Sequence, residues 1–446
     1  MKILLLLSSI PYDLGEAIDV VSHEVVRLMA HEGHNVYVQP LIREKCSAEN
    51  SEREEYARQS FVSQPLIQLL PAIYLTDLTK SQAPIINRLN FFKAIFFSLP
   101  GLRRLINPYF FPALNARPVL NSIAIEINPD VLVSIWSWEA LAASYSIKGI
   151  PKFVYYGNPD HKPARERLRF PHLFDISTKG FFGQVKFYIL KLLNRALEIQ
   201  HVRMMSSCEV TANNSLIDSN YYTEKGHPQS IYLQNMWPDA IEGPQFQHCN
   251  AKIKKIHIIG SVGNLGATGN TFGLYFLGTQ LLPKLKTKLQ GEDLVIEIFG
   301  GGKLQPSCIK PLSDPMIKFH GWVEDINSQI RQATAFLVLT NSYGFTVGNT
   351  RILLAWSLGA CVIAHSFSKL SMPELEHGVN VLLGDTDDEL AELILQVTRD
   401  PQLRERIGYG GYSAFRKYFR SSDVVPKMLV EIKKIALPRL FLQNAK

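Results

Sequence analysis

The chain alternates short, wholly apolar runs with amphipathic stretches, and this alternation limits its fold more than any other feature. Residues 3–7 are Ile3, Leu4, Leu5, Leu6 and Leu7. A strand apolar on both sides must be covered on both sides, as in a parallel sheet flanked by helices. In 17–30 the apolar residues Ile18, Val21, Val25, Val26, Leu28 and Met29 recur at helical spacing, and Gly33 follows as a C-cap. Asn35, Val36, Tyr37 and Val38 read as the next strand. Strand, helix, glycine and strand make a βαβ unit with a right-handed crossover.

The unit recurs. Strands are expected at 131–135, 153–156, 208–212 and 231–233, with helices at 139–146 and 215–225. The stretch 237–255 has no periodicity and carries Pro, Gly, Asn and Gln, which marks a linker. A second series follows, with strands at 256–259, 294–299, 317–320, 335–339 and 361–364. Its helices are expected at 270–285, 325–332, 350–358, 387–397 and 402–419. The expected fold class is α/β, with two Rossmann-like doubly wound domains facing a cleft. The domains are placed at 1–240 and 241–420, and 421–446 is a helix packing back on the first. Ligands of such sheets bind beyond the carboxyl ends of the strands, and the cleft between two domains is the natural site.

The bulk properties narrow the function. At 446 residues, 46% hydrophobic and 20% charged, the chain is globular rather than disordered. Its net charge of +7 suits an anionic ligand or surface without indicating nucleic acid. No apolar run is long enough for a spanning helix. Cys46, Cys208, Cys249, Cys308 and Cys361 are odd in number, far apart and without a C-x-x-C pair. That excludes a disulfide framework and a structural zinc site, and a reducing cytoplasm is expected. The apolar start lacks a small-residue cleavage site and reads as a buried strand, not a signal peptide.

Three stretches carry candidate chemistry. Ile259, Gly260, Ser261, Val262 and Gly263 place small residues where a strand turns toward a helix, and Gly300, Gly301, Gly302 and Lys303 end a buried strand. Glycines let a backbone approach a phosphate, though such clusters also serve as plain turns. Gly344 to Arg351 lies between a strand and an apolar helix that Asn349 or Thr350 can cap. Free amides at a helix N-terminus beside Arg351 suit a diphosphate. His161 follows a strand beside Asp160. The basic residues Lys162, Arg165, Arg167 and Arg169 follow it, broken by Glu166. An imidazole there can hydrogen-bond a sugar or tune an acceptor, or it is a plain loop histidine.

The second half resembles the family 4 glycosyltransferases. Asn270 to Phe276 with Leu282-Pro283 is similar to that family's N-x-x-x-L-x-F…L-P helix, and Gly321-Trp322-Val323-Glu324-Asp325 to its G-[FWY]-V-x-D turn. Leu358 to Ala364 resembles A-x-G-x-P-V-I-A, with Cys361 in place of proline. Pro373-Glu374-Leu375 with Glu376 to Asn380 resembles the P-E loop, and Asp400 to Gly411 the D-P-x-L-R tail. The first half is less similar. Ser8, Pro11, Gly15 and Ala17 lie where the family has a glycine pair near the donor phosphates, and Asn235 alone matches its P-N-G-V boundary.

The resemblance implies a GT-B fold, a nucleotide-sugar donor held mainly by the C-terminal domain, and an acceptor on the N-terminal side. It implies donor-binding roles for Gly15, Gly263, Lys303, Asn349, Thr350, Arg351 and Glu374, and a catalytic role for His161. Retention of configuration is expected, with no metal and no cofactor. One departure stands out. The family's ribose-binding glutamate falls on Leu354, and no acid occurs between Asp325 and Glu374. A leucine cannot accept hydrogen bonds from a ribose diol.

The expected function is sugar transfer to a hydroxyl acceptor, such as a lipid-linked glycan or polysaccharide precursor. The alternatives are a weak or inactive GT-B binding or scaffold protein, and a sugar-nucleotide epimerase of the same fold. The span 80–125 carries Lys80, Arg88, Lys93, Arg103, Arg104 and Arg117, no acid, and repeated aromatic pairs; 181–193 is similar. This pattern suits peripheral contact with the inner face of an anionic membrane, or amphipathic core helices. Nucleic acid is not an expected partner.

Overall fold

The computed structural model describes residues 1–13, 15–43, 47–78, 84–240, 244 and 255–444, with side chains for all of these except 77, 78, 84–90 and 440–444. Cys46, Cys249, Lys80 and most of the expected linker lie outside the described residues, as does the side chain of Arg88. The described residues divide into two compact units. One comprises Met1–His161, Tyr188–Leu233 and Ser421–Lys446; the other comprises Lys162–Phe187 and Gln234–Arg420. The excursion Lys162–Phe187 thus packs with the second half of the sequence, although it is flanked on both sides by the first unit.

The first unit is built on one parallel sheet. Its strands are β1 (Lys2–Leu7), β2 (Asn35–Ile42), β3 (Ile67–Leu69), β4 (Ile73–Tyr74), β5 (Val131–Ile135), β6 (Lys152–Tyr156), β7 (Val210–Asn213) and β8 (Ser230–Tyr232). They run in the order β3-β2-β1-β5-β6-β7-β8, with β4 also paired to β2. Leu4 to Leu7 pair with Tyr37 to Pro40 on one side, and Ile3 to Leu6 with Val131 to Ser134 on the other. Ile3 to Leu7 are at most 1% exposed, as the two-sided apolar run demands. The helix Ala17–His31 buries Val21, Val25, Val26 and Met29 completely. Each such side chain contributes about 1.5–3 kcal/mol relative to exposure. Gly33 follows that helix at φ 79°.

Ala48–Phe61 and Arg117–Ile127 are among the helices that the apolar periodicity did not mark. Ala48–Phe61 is almost wholly polar and buries only Ala57 and Phe61, so it shows no apolar stripe. Ser47 caps it by accepting from Asn50 N at 3.2 Å. Arg117–Ile127 buries Leu120, Ala124 and Ile127. With Phe111, Ala113 and Ala116, also buried, it makes the later part of the acid-free span into core. Phe91, Phe92 and Phe96, earlier in that span, are exposed.

The second unit holds β9 (Ile256–Val262), β10 (Leu294–Phe299), β11 (Ile317–Gly321), β12 (Ala335–Val338), β13 (Val362–His365) and β14 (Leu382–Gly384). Their order is β11-β10-β9-β12-β13-β14, all parallel. Counted within the unit this is 3-2-1-4-5-6, the doubly wound order whose direction of winding reverses between β9 and β12. The loops after those two strands flank the crevice where such sheets bind ligands. The closing helix Ser421–Asn444 returns to the first unit, where Val424, Val425, Met428, Leu429, Ile432 and Ala436 are buried.

Candidate functional site

Two glycine loops meet beyond β9 and β10. Gly263 has φ 100° and donates its amide to Phe299 O at 3.1 Å, while Leu265 N donates to Gly301 O at 2.8 Å. Gly300 has φ 115°, and a Cβ there would overlap the Gly263 carbonyl oxygen. A Cβ on Gly266 would stand 2.8 Å from Lys303 O. These glycines are therefore required for backbone to lie on backbone between the two loops. Lys303 itself is exposed at the rim.

Beyond β12 the chain enters the helix Thr350–Ser357. Asn349 caps it: its Oδ1 accepts from both Arg351 N and Arg351 Nε at 3.2 Å. Arg351 Nη1 donates to Asn270 Oδ1, and Asn270 Nδ2 donates to Asn264 O at 2.7 Å. One chain of hydrogen bonds thus ties the helix N-terminus to the loop after β9. Arg351 keeps some exposed surface, yet burial pushes its guanidinium down to about 10, so it stays cationic at neutral pH. Its side-chain acceptors are neutral amides, and among the described residues no carboxylate pairs with it. A desolvated cation without a counter-charge is costly, and an anionic ligand offsets that cost. The helix dipole adds positive potential at the same place.

The remaining site residues fall in two places. Thr350 opens the helix. Leu354 lies one turn further on and packs against the core beneath. Glu374 Oε1 accepts from Gln234 Nε2 at 3.2 Å, and its carbonyl accepts from Asn380 Nδ2 at 2.9 Å. Gly15 and His161 belong to the first unit. A Cβ on Gly15 would run into the Asp19 carboxylate, which accepts from Glu16 N at 3.0 Å. His161 opens the helix His161–Arg169 with no exposed surface, its ring 5.5 Å from that of Tyr221 and 5.8 Å from that of His201. Direct contact between His161 and a substrate therefore requires a conformation other than this one.

The structure also supplies residues that the sequence pattern missed. Glu166 is 2% exposed and accepts the Ser342 hydroxyl at 2.8 Å; a Cβ on Gly344 would overlap its Oε1. Arg167 Nε donates to Thr268 Oγ1 at 2.8 Å, at the start of the helix Thr268–Phe276. Phe170 and Phe174 pack edge-on against Phe272. The segment after His161 is thereby fastened to the loops after β9 and β12. Asn235 Nδ2 donates to Gly348 O at 2.7 Å, fixing the Gly344 to Arg351 loop from the other side. The only sequence signal for Glu166 was one acid inside a basic run.

Among the described residues no group of His, Cys, Asp or Glu side chains is arranged to hold a metal. Cys208, Cys308 and Cys361 are free and buried, and burial pushes the Cys361 thiol up to about 12.

Residues 256–400 match the family model described as Glycosyl transferases group 1, about a third of the chain. The matched stretch covers most of the motifs that carried the resemblance. No curated protein matches the chain. Solved structures match over nearly its whole length. The HepE structure from Anabaena in complex with UDP has a TM-score of 0.57 at 12% identity, covering 97% of this chain and 100% of that one. Sucrose-phosphate synthase from Thermosynechococcus elongatus has 0.61 at 12% identity, covering 97% and 99%. The lipopolysaccharide outer core galactosyltransferase WaaB has 0.58 at 12% identity, also covering 97% and 99%. At such identities the likeness establishes the fold: two Rossmann-like units of the GT-B type.

Proposed function

We propose that the protein is a glycosyltransferase that moves a sugar from a nucleotide-sugar donor to a hydroxyl acceptor. The observation that carries this is Arg351, a half-buried cation that has no carboxylate partner among the described residues, at a helix N-terminus inside the stretch that matches the glycosyl transferases group 1 model. The nucleotide sugar is assigned to the second unit and the acceptor to the first. In the reaction the anomeric carbon loses its bond to the β-phosphate oxygen and gains one to the acceptor oxygen, with retention and without a metal ion. The acceptor proton ends on the departing diphosphate. Arg351 and the positive end of the helix that Thr350 opens stabilise the charge that develops there, and Lys303 adds a weaker contact. Gly15, Gly263 and Glu374 complete the proposed donor contacts, and His161 is the proposed sugar-side residue.

The neighbouring structures name the first donor to test. HepE was solved with UDP, with UDP and glucose, and with UDP-glucose. Calorimetry with UDP, GDP and ADP decides whether the protein binds a nucleotide diphosphate; no heat from any of the three would sink the reading. Leu354, in the place of a ribose-binding acid, favours a second reading as a binding protein without transfer activity. Product analysis with UDP-glucose and an acceptor panel separates the two, and it also separates transfer from epimerisation.

The acceptor class we favour is a lipid-linked glycan or polysaccharide precursor, reached from the inner face of a membrane. Phe181 and Phe182 are 75% and 85% exposed at the start of the helix Gly180–Met205. Lys179, Lys186 and Lys191 are close in sequence, and no acid lies between Asp175 and Glu198. Exposed aromatics among lysines suit the headgroup layer of an anionic bilayer. Among the described residues no helix is long and apolar enough to cross a membrane. Co-sedimentation with phosphatidylglycerol vesicles at low salt checks this surface.

A further inference from the structure

From Phe91 on, the helix Pro84–Ser98 has one packed side and one bare side. On the packed side Phe97 stacks on Tyr109 at 5.7 Å, and the Lys93 ammonium lies 5.3 Å from the same ring. Ser98 is buried and donates its hydroxyl to Ile95 O at 2.6 Å. On the bare side Phe92, Phe96 and Leu99 follow at i, i+4 and i+7, which lines them up on one face. They are 65%, 56% and 42% exposed. Phe91 and Leu105 widen this surface and are exposed as well.

The turns after the helix hold their shape. Leu102 N and Arg103 N both donate to Leu99 O at 2.9 Å, and Leu105 N donates to Leu102 O at 2.9 Å. Arg203 Nη1, from the helix Gly180–Met205, donates to Arg104 O at 2.9 Å and fastens the turns to the rest of the first unit. Lys93, Arg103, Arg104 and Arg203 therefore border the bare side, and among the described residues no carboxylate pairs with any of them. The sequence between Asp77 and Glu126 holds no acid at all.

Soluble proteins rarely leave large apolar side chains bare side by side unless something covers them. An apolar protein partner would cover the phenylalanines and leave the four cations without counter-charge. An acidic protein segment would match the cations and leave the phenylalanines in water. A bilayer of anionic lipid supplies both an apolar layer and a layer of phosphates. We propose that the helix Pro84–Ser98 and the turns to Leu105 dock on an anionic bilayer. The helix lies in the membrane plane with Phe92, Phe96 and Leu99 sunk about 5–10 Å into the boundary of headgroups and acyl chains, and the cations rest on lipid phosphates. This surface is separate in sequence from the exposed aromatics at Phe181 and Phe182. Its use for reaching an acceptor rests on the glycosyltransferase reading; the docking does not.

The test is flotation of the whole protein with phosphatidylcholine vesicles, with and without phosphatidylglycerol, at low and at high salt. UDP calorimetry and sedimentation velocity are run on the same samples. The wild type should float with the phosphatidylglycerol vesicles. Phe92→Ser combined with Phe96→Ser should weaken that binding roughly tenfold or more at both salt concentrations. Arg103→Gln combined with Arg104→Gln should weaken it at low salt and flatten its salt dependence. UDP affinity and melting temperature should stay at wild-type values, because Phe92, Phe96 and Arg104 are exposed and Arg104 holds Arg203 through its carbonyl. No flotation of the wild type overturns the inference, as does undiminished flotation of either folded variant. Binding lost only in Phe181→Ser combined with Phe182→Ser also overturns it and leaves the other surface. A wild-type dimer that the Phe92 and Phe96 variant dissociates makes a second copy the occupant, with the same consequence. Flotation without UDP binding leaves this surface standing and removes the donor reading instead.

Discussion

The Ser342 hydroxyl donates to Glu166 Oε2 at 2.8 Å across 176 residues of sequence, and both side chains are almost fully buried. The contact places a carboxylate on the loop leading to Arg351, in a stretch whose own sequence has no acid between Asp325 and Glu374. Glu166→Ala leaves that hydroxyl buried and unpaired, at about 1–3 kcal/mol. The melting temperature should fall by several degrees and UDP affinity should fall with it. Glu166→Gln keeps an acceptor and should recover most of both. Equal losses in the two variants would show that the charge matters rather than the hydrogen bond.

Arg351→Ala should weaken nucleotide diphosphate binding by roughly ten- to a hundredfold, the range expected for a charge-assisted hydrogen bond of about 1.5–3 kcal/mol. Asn270→Ala removes the acceptor that orients Arg351 Nη1 and should cost less. Calorimetric titration with UDP measures both. Unchanged affinity in Arg351→Ala would remove the diphosphate site from this helix N-terminus.

Gly300→Ala places a methyl group where the Gly263 carbonyl already stands, at φ 115°. It should cost about 2 kcal/mol or more. Gly301→Ala, with open space around its Cβ position, should stay within about 0.5 kcal/mol. Urea unfolding of the two variants separates a packing glycine from a merely small one.

Burial raises Glu139 to about 7 and Asp160 to about 6, both above ordinary carboxyl values. The native state therefore holds protons that the unfolded chain releases between about pH 4 and 7. The contribution of these groups is fully present below about pH 4 and is lost as pH rises through 6 to 7. His201, pushed down to about 3, acts in the opposite sense, losing stability as pH falls below about 6.5. The difference between wild type and Glu139→Gln isolates the carboxyl. Glu139→Gln should gain on wild type as pH rises from 4.5 to 7.5 in urea melts. A constant difference across that range would show that Glu139 titrates normally.

The two-sided apolar runs at 3–7, 131–135 and 335–338 are enough to call for parallel strands, because no other arrangement covers both faces. The loops at Gly263, Gly300 and Asn349 follow from where those strands end, so the sequence by itself determined the central strands of both sheets and the loops bordering the second sheet's crevice, while the short edge strands β3, β4 and β14 carried no such run. It also singled out Arg351, whose position at a capped helix start is a local matter. It did not reveal that Glu166 and Arg167 would pack on the loops after β12 and β9, that Arg351 would have no carboxylate beside it among the described residues, or that His161 would be sealed among Tyr221 and His201. Nor did it show that Glu139, Asp160 and Arg43 would share one electrostatic neighbourhood. Periodicity is a property of neighbouring residues, whereas burial, counter-charge and the pairing of a carboxylate with a hydroxyl 176 positions away depend on where separate segments pack, and only the tertiary structure decided those.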